Sequence, residues 1–325
     1  MTEKRARAAD SMPEQEIARE NELVQAWFER GGIERLGGID CFVVDQGDPD
    51  SDVAMLWLHG FPSSSLDWRA VVDRMSGQRM LLMDFPGFGF SAKPRSGYSY
   101  SLVDQADRVL MMLAARDIRR VHLVAHDMGT SVACELLARR EMGLLPVAVE
   151  SVALMNGSVF IEQARLTPSQ KLLRSPLAGT YTRVASQRLF RWQIRKILGR
   201  PLADDELAAM WALMRRNDGI RTLPQTIAYV DERYRFYQRW TGPLAQLDVP
   251  AQVIWGRRDP VAVPAIAERL AATIPGAELE WMDDVGHFPM LEAPEELAVI
   301  LARFLSLPYK RSPGRDRSGR LVAVG

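Results

Sequence analysis

Continuous apolar runs of strand length recur along this chain, most of them ending in a Gly- or Pro-containing turn. VAMLWLHG (53–60), RMLLMDFPGFG (79–89), VHLVAHDMG (121–129), VESVALMNG (149–157) and AQVIWGRRD (251–259) are of this kind, and ELEWMDD (278–284) adds another strand. Apolar runs that do not alternate with polar residues mark strands covered on both faces. Between and after them, SLVDQADRVLMMLAARDI (101–118) and APEELAVILARFL (293–305) space their apolar residues at helical period. Strands alternating with helices predict an α/β fold built on a mostly parallel, doubly wound sheet. Ahead of it, IERLGGIDCFVVD (33–45) reads as a β-hairpin turning at Gly37 and Gly38.

The alternation stops between residues 158 and 245, where helical patterns follow one another with no strand between them. This predicts a helical cap inserted into a core formed by residues 30–157 and 246–308. Residues 1–29 read as an N-terminal tail or helix, and the basic, Gly/Ser/Pro-containing residues 309–325 as a disordered tail. The cap is rich in Trp, Tyr, Arg and Met. A helix over 225–240 would align Tyr229, Arg233, Phe236 and Trp240 on one stripe and Tyr234 with Tyr237 on another.

Composition narrows the partners. Among 325 residues, 41 basic and 41 acidic side chains cancel, so overall charge gives no reason to expect nucleic acid or an acidic membrane as partner. A small neutral organic substrate and water fit better. Two cysteines, Cys41 and Cys134, without CxxC spacing, indicate neither a disulfide framework nor a zinc knuckle, and a cytoplasmic location is the expectation. No metal or cofactor is implied, no apolar run reaches membrane-spanning length, and a homodimer is left open.

The chemistry concentrates at strand ends. VHLVAHDMGTSVACELLAR runs from strand through a tight turn into a helix, which sets Asp127 on a sharp elbow. Such a turn needs small residues two before and two after, and Ala125 and Gly129 meet that need. The helix start favours an ionised carboxylate, although Asp127 could also be an ordinary helix cap. Asp259 follows the strand AQVIWG, and His287 lies in the loop after ELEWMDD. The order nucleophile, acid, histidine fits a triad. Asp283 and Asp284 sit too close to His287 in sequence to reach its far ring nitrogen, and Asn156 is no carboxylate, which leaves Asp259 as the orienting acid. After the strand VAMLWL, the loop HGFPSSS would aim the Phe61 N–H at the nucleophile, with the Met128 N–H completing an oxyanion hole. His59, His122 and His126 read as structural.

Together, HGFPSSSLDW, DFPGFGFSAKP, AHDMGT, GRRDP and GHFPMLEAPEE resemble the epoxide hydrolase and haloalkane dehalogenase branch of the α/β-hydrolase superfamily over residues 30–308. The cap segments LADDELAAMWALMRRNDG and RFYQRW are similar to those of the mesoderm-specific transcript group. The resemblance implies an α/β-hydrolase fold with a cap, an Asp127 nucleophile and a covalent alkyl-enzyme intermediate that His287, oriented by Asp259, hydrolyses. Dehalogenases of this branch usually carry Trp after the nucleophile and many carry Asn in the oxyanion loop, whereas this chain has Met128 and Phe61. Epoxide hydrolysis to a vicinal diol is therefore the expected activity, with Tyr229 as first choice for the hydrogen-bond donor to the ring oxygen and Tyr181 as its partner. The alternatives are a dehalogenase with unusual halide donors such as Asn156 or the cap residue Trp240, an ester or lactone hydrolase, and a catalytically silent ligand-binding protein that keeps the fold.

Overall fold

A computed structural model describes residues 21–306 except residue 76; the expectations for residues 1–20 and for the tail 309–325 lie outside the described residues. The apolar runs form eight strands: β1 (Gly31–Leu36), β2 (Ile39–Gln46), β3 (Val53–Leu58), β4 (Arg79–Met83), β5 (Arg120–His126), β6 (Ala148–Met155), β7 (Ala251–Gly256) and β8 (Glu278–Met282). They join one sheet in the order β1-β2-β4-β3-β5-β6-β7-β8. The hairpin β1–β2 packs antiparallel on β4, and every other neighbour is parallel. Gly37 and Gly38, both at positive φ, close that hairpin. β4 and β7 are buried along their whole length, as expected for strands covered on both faces.

Helices connect the parallel strands. α1 (Glu22–Phe28) is capped by Asn21 and docks Trp27 into the core, with its indole N–H on Ser65 Oγ at 3.0 Å. α2 (Leu102–Ala114) buries one face made of Leu102, Ala106, Val109, Met112 and Leu113. α3 (Met128–Glu141) follows β5 and is buried from Met128 through Ala138, because it crosses the centre of the sheet and is overlaid by the insert. At its C-terminal half Glu135, fully buried, is held by Arg139, Arg239 and the Trp240 indole.

Between β6 and β7 the chain forms short helices only, among them Pro168–Leu173, Ala178–Val184, Gln187–Arg195 and Asp204–Arg215. The single helix expected over 225–240 is broken into Leu223–Thr226, Tyr229–Arg235 and Tyr237–Thr241. Phe236, at φ −103° and ψ 20°, interrupts the helical backbone between the last two. The buried stripe nevertheless persists, since Tyr229, Arg233 and Trp240 all face inward. Among the described residues no helix is long and apolar enough to cross a membrane.

The crossing of α3 over the sheet is tightest at Gly129. A Cβ there would lie 2.5 Å from Leu58 O and 2.7 Å from His59 O, both backbone atoms that cannot move aside cheaply. Gly129→Ala is expected to destabilise the fold by about 1–3 kcal/mol or more, read as a lower urea midpoint. Gly32→Ala, where a Cβ would meet nothing within 4 Å, should stay within about 0.5 kcal/mol of the wild type.

Candidate active site

Three strand ends and one loop build the site. At the end of β5, Asp127 adopts φ 44° and ψ −111° and opens α3 without capping it through its side chain. An ordinary cap has extended φ/ψ and accepts from the first-turn N–H groups; Asp127 does neither. Its N–H bonds Met155 O at 3.1 Å, and its carbonyl accepts from the Thr130 N–H and from the Thr130 hydroxyl at 2.6 Å. Backbone strain of this kind persists only where the surroundings over-determine it.

The loop after β3 runs against the carboxylate. Phe61 N–H donates to Asp127 Oδ2 at 2.9 Å, and a Cβ on Gly60 would lie 2.6 Å from Asp127 Cβ. Asp84, in DFPGFG, fixes this loop by accepting from Ser65 N–H and Phe90 N–H, each at 2.7 Å. His59 accepts from the Phe85 N–H through Nε2 at 3.0 Å, so it holds the loop. Met128 begins α3, and no hydrogen bond from the start of that helix to the Asp127 side chain accompanies the Phe61 contact.

His287 lies in the loop after β8, and its Nδ1 meets Asp259 Oδ2 at 2.7 Å. Asp259 is oriented from three sides: its Oδ1 accepts from the Val261 and Ala262 N–H groups, and its Oδ2 from the Asn156 amide at 2.8 Å. With Nδ1 engaged, Nε2 is the ring nitrogen left for chemistry. His126 sits behind the ring with its Nε2 at 2.7 Å from His287 O. Asp283 pairs with Arg257 and Asp284 with Arg200, so neither competes for the imidazole.

A cavity of about 250 Å³ opens between core and insert, walled by Phe61, Val261 and His287 from the core and by Gln170, Tyr181 and Trp211, among others, from the insert. The family profile described as alpha/beta hydrolase fold matches residues 53–294. The chain belongs to the α/β-hydrolase fold family. A Mycobacterium tuberculosis protein that carries the name hydrolase LipZ is 42% identical over 252 residues, 77% of this chain and 87% of that protein. The mesoderm-specific transcript homolog protein of Homo sapiens is 34% identical over 284 residues, covering 83% of this chain and 84% of its own. Among solved structures, haloalkane dehalogenase DatA from Agrobacterium tumefaciens C58 is similar with a TM-score of 0.70 at 24% identity over 85% of this chain and 96% of that one. An esterase from Exiguobacterium antarcticum reaches 0.71 at 18% identity over 85% of this chain and 100% of that one. At those identities the two structures speak for the fold.

Within this hydrolase fold, the expected residues fall into two groups. Asp127, Phe61, Asp259 and His287 converge beside the cavity. Tyr181 lines the cavity wall, with its hydroxyl shared with Gln193. Tyr229 is buried against Phe61, with ring centroids 5.6 Å apart, and its hydroxyl lies 3.4 Å from the Gln170 amide. Trp240 and Asn156 are engaged elsewhere. Trp240 donates to Glu135, on the far side of the insert contact. Asn156 holds Asp259 and accepts from Gly256 N–H. Both therefore differ from the expectation of substrate contact: Trp240 is a packing residue and Asn156 a positioning residue for the acid.

Two residues that the sequence reading gave no role complete the site. Arg233, buried in the insert, donates through Nη2 to Asp127 O at 2.9 Å, lies 3.6 Å from Asp127 Oδ1, and donates through Nε to Ser131 Oγ. Its guanidinium also stacks over the Tyr229 ring at 4.6 Å. The only hint in sequence was its place on the Tyr229 stripe. Glu292 accepts from four backbone N–H groups, those of Gly286, Phe288, Gly199 and Arg200. It thereby ties the His287 loop to the insert, an arrangement no local motif announces.

The charges reinforce one another. Burial would raise the Asp127 carboxyl, but Arg233, His287 and the Phe61 N–H outweigh it and hold the group below the ordinary 3.8. Burial would also discharge His287, yet Asp259, both as charge and as hydrogen-bond acceptor, together with Asp127, pushes it up to about 9. The sign follows for both: the His287 contribution to stability is full below the ordinary 6.5 and fades as pH climbs through about 9. That of Asp127 is present above 3.8 and is lost as pH falls below it.

Because Asp127 is one cause of the raised imidazole, Asp127→Asn is expected to lower the His287 pKa, measured by NMR titration of its ring; an unchanged value would mean that the two groups do not interact. Arg233→Met should act on the Asp127 carboxyl itself, moving the acid limb of the rate of Asp127 modification to higher pH and lowering the melting temperature, since it strips a buried carboxylate of a cation.

Proposed function

We propose that the chain is a hydrolase in which Asp127 attacks carbon and forms an alkyl ester, and that its substrate class is a neutral, mostly apolar epoxide released as a vicinal diol. The observation that carries this reading is the carboxylate on the elbow, unengaged by its own helix, with Phe61 N–H on one oxygen and the His287–Asp259 pair beside it. A carboxylate there suits opening of an sp³ C–O bond, because attack on an acyl carbon would give an anhydride rather than a serine-type ester.

In the first step an Asp127 oxygen bonds to the less hindered ring carbon as the C–O bond of the epoxide breaks. The electron pair goes to the ring oxygen, which takes a proton from Tyr229, with Tyr181 as second donor. Burial, then the charge of Asp127, keeps the Tyr229 hydroxyl protonated well above the ordinary tyrosine range, so it remains a donor until an alkoxide forms. Esterification removes the negative charge on Asp127, and with it one of the three anions, Asp259, Asp127 and Glu292, that hold His287 protonated. The ring can then return its proton to the Tyr229 phenolate and become the base that deprotonates water. The resulting hydroxide adds to the Asp127 carboxyl carbon, and the oxyanion is held by the Phe61 N–H and, as the ester oxygen shifts, the Met128 N–H. Collapse breaks the ester: the leaving alkoxide takes the proton of the hydroxyl just added to the carboxyl carbon, which returns the carboxylate, releases the diol and leaves His287 protonated as at the start.

Halide release is supported less. Phe61 and Met128 offer no side-chain donors, and both other halide candidates, Asn156 and Trp240, already donate to carboxylates. The two buried, unpaired thiols, Cys41 and Cys134, suit a reducing cytoplasm.

Asp127→Asn is expected to reduce diol formation from styrene-type epoxides by about 10⁴-fold or more. His287→Gln should still alkylate and then stall, so that intact-protein mass spectrometry shows one added substrate mass on Asp127. Turnover of the wild type in heavy-oxygen water should place the label in the Asp127 carboxylate; proven turnover without that label would rule out the covalent route.

A further inference from the structure

The segment between Glu162 and Asp204 holds no acidic residue and nine basic ones, in a chain whose total charge is zero. Four of the nine are matched: Arg174 pairs with Asp231, Arg191 and Arg195 with Asp204, and Arg200 with Asp284 and Glu296. The remaining five, Arg165, Lys171, Arg183, Arg188 and Lys196, make no ion pair among the described residues, and all five are exposed. The remainder of the chain carries 32 basic against 41 acidic residues, so positive charge is concentrated on this one part of the insert.

The same part walls the cavity and carries large apolar side chains in water. Along helix Ala178–Val184 and its cap Leu177, the residues Leu177, Tyr181 and Val184 fall on one stripe. Tyr181 lines the cavity, while Leu177 and Val184 are 61% and 65% exposed. On the next helix, Gln187–Arg195, Phe190 and Ile194 point inward and line the cavity, and Arg188, Trp192 and Arg195 share the outward stripe. Trp192 both lines the cavity and is 58% exposed, with Lys196 Nζ over its ring at 5.7 Å. Trp192 and Lys196 thus stand in the cavity wall, and Leu177 and Val184 lie about one helical turn to either side of the wall residue Tyr181, exposed in a segment rich in unmatched cations. Isolated exposed apolar residues are ordinary on a protein surface; three on successive helices that wall one cavity, interleaved in sequence with unmatched Lys and Arg, have the composition of an interfacial membrane-binding face.

We infer that this face docks on an anionic phospholipid bilayer and that the cavity takes its substrate, a lipophilic molecule, directly from that surface. Docking inserts Leu177, Val184 and Trp192 at the headgroup boundary while the unmatched cations face lipid phosphates. A nucleic acid would use the cations and leave the aliphatic residues without a role. The docking itself rests on this face alone; only the identity of the delivered substrate rests on the hydrolase reading above.

Flotation with phosphatidylcholine vesicles, with and without a quarter of phosphatidylglycerol, tests this on the full chain. Each basic residue near an anionic membrane strengthens binding about fivefold, so flotation should require the anionic lipid and weaken with salt. The double variant Arg183→Glu/Arg188→Glu and the double variant Leu177→Ser/Val184→Ser should each lose at least about tenfold in vesicle binding while keeping the wild-type melting temperature and circular dichroism. Asp127→Asn should float as the wild type does, which separates this test from that of the chemistry. The inference is overturned if the wild type does not float with anionic vesicles, or if the charge-reversed chain floats equally well. It is also overturned if the Leu177→Ser/Val184→Ser chain is unimpaired while heparin competes the wild type away, since that result would describe a polyanion site.

Discussion

A carboxylate buried at the end of a central strand, with its backbone in the left-handed region, would be costly on its own. Removing such an ion from water costs several kcal/mol unless partners replace the lost solvation. Around the Asp127 carboxylate those partners come from three parts of the chain: the Phe61 N–H from the loop after β3, the imidazole of His287 from the loop after β8, and the guanidinium of Arg233 from the insert, while Thr130 of α3 holds the backbone carbonyl. The two loops are held in turn by a buried carboxylate each, Asp84 for the first and Glu292 for the His287 loop. The site is therefore a convergence of supports, and the sheet exists in this order partly to bring them to one point.

That arrangement couples core and insert. Arg233 reaches down from the insert to Asp127, while Glu292 reaches up from the core to the backbone of Gly199 and Arg200, and His287 N–H bonds Ile197 O. At Gly199 and Gly286 the two segments pass so closely that a Cβ on either would overlap the other's backbone. The insert is thus part of the electrostatic environment of Asp127 as well as a wall of the cavity. A neutralised Asp127 would leave Arg233 with its carbonyl, Ser131 and Tyr229-ring contacts but no anion, which gives the site two charge states with different internal pairing.

The outer face of the insert follows a different logic from its inner face. Inward it supplies apolar and amide groups to a cavity; outward it keeps positive charge and large apolar side chains together. Both faces belong to the same short helices, so their amphipathic period assigns one sequence stretch two surfaces. A chain of zero total charge can hide such a local excess, which is why composition alone gives no hint of an electrostatic partner.

By itself, the sequence determined the fold class, the strand order along the chain and the place of Asp127, Asp259 and His287 at strand ends. Those features follow from local periodicity and from turns that only certain residues permit. The stripe of Tyr229 and Arg233 was also legible, although the helix expected to carry it is broken at Phe236. Tertiary structure alone decided what these residues do. Asn156 and Trp240 carry donors suited to a substrate, but each spends its donor on a buried carboxylate supplied by a distant segment. Arg233 and Glu292 acquire their roles because residues more than 90 positions away, or four separate N–H groups, arrive at the same point. Periodicity encodes which face of an element is buried, whereas the pairing of buried polar groups depends on which elements meet, and that is fixed only when the chain is folded.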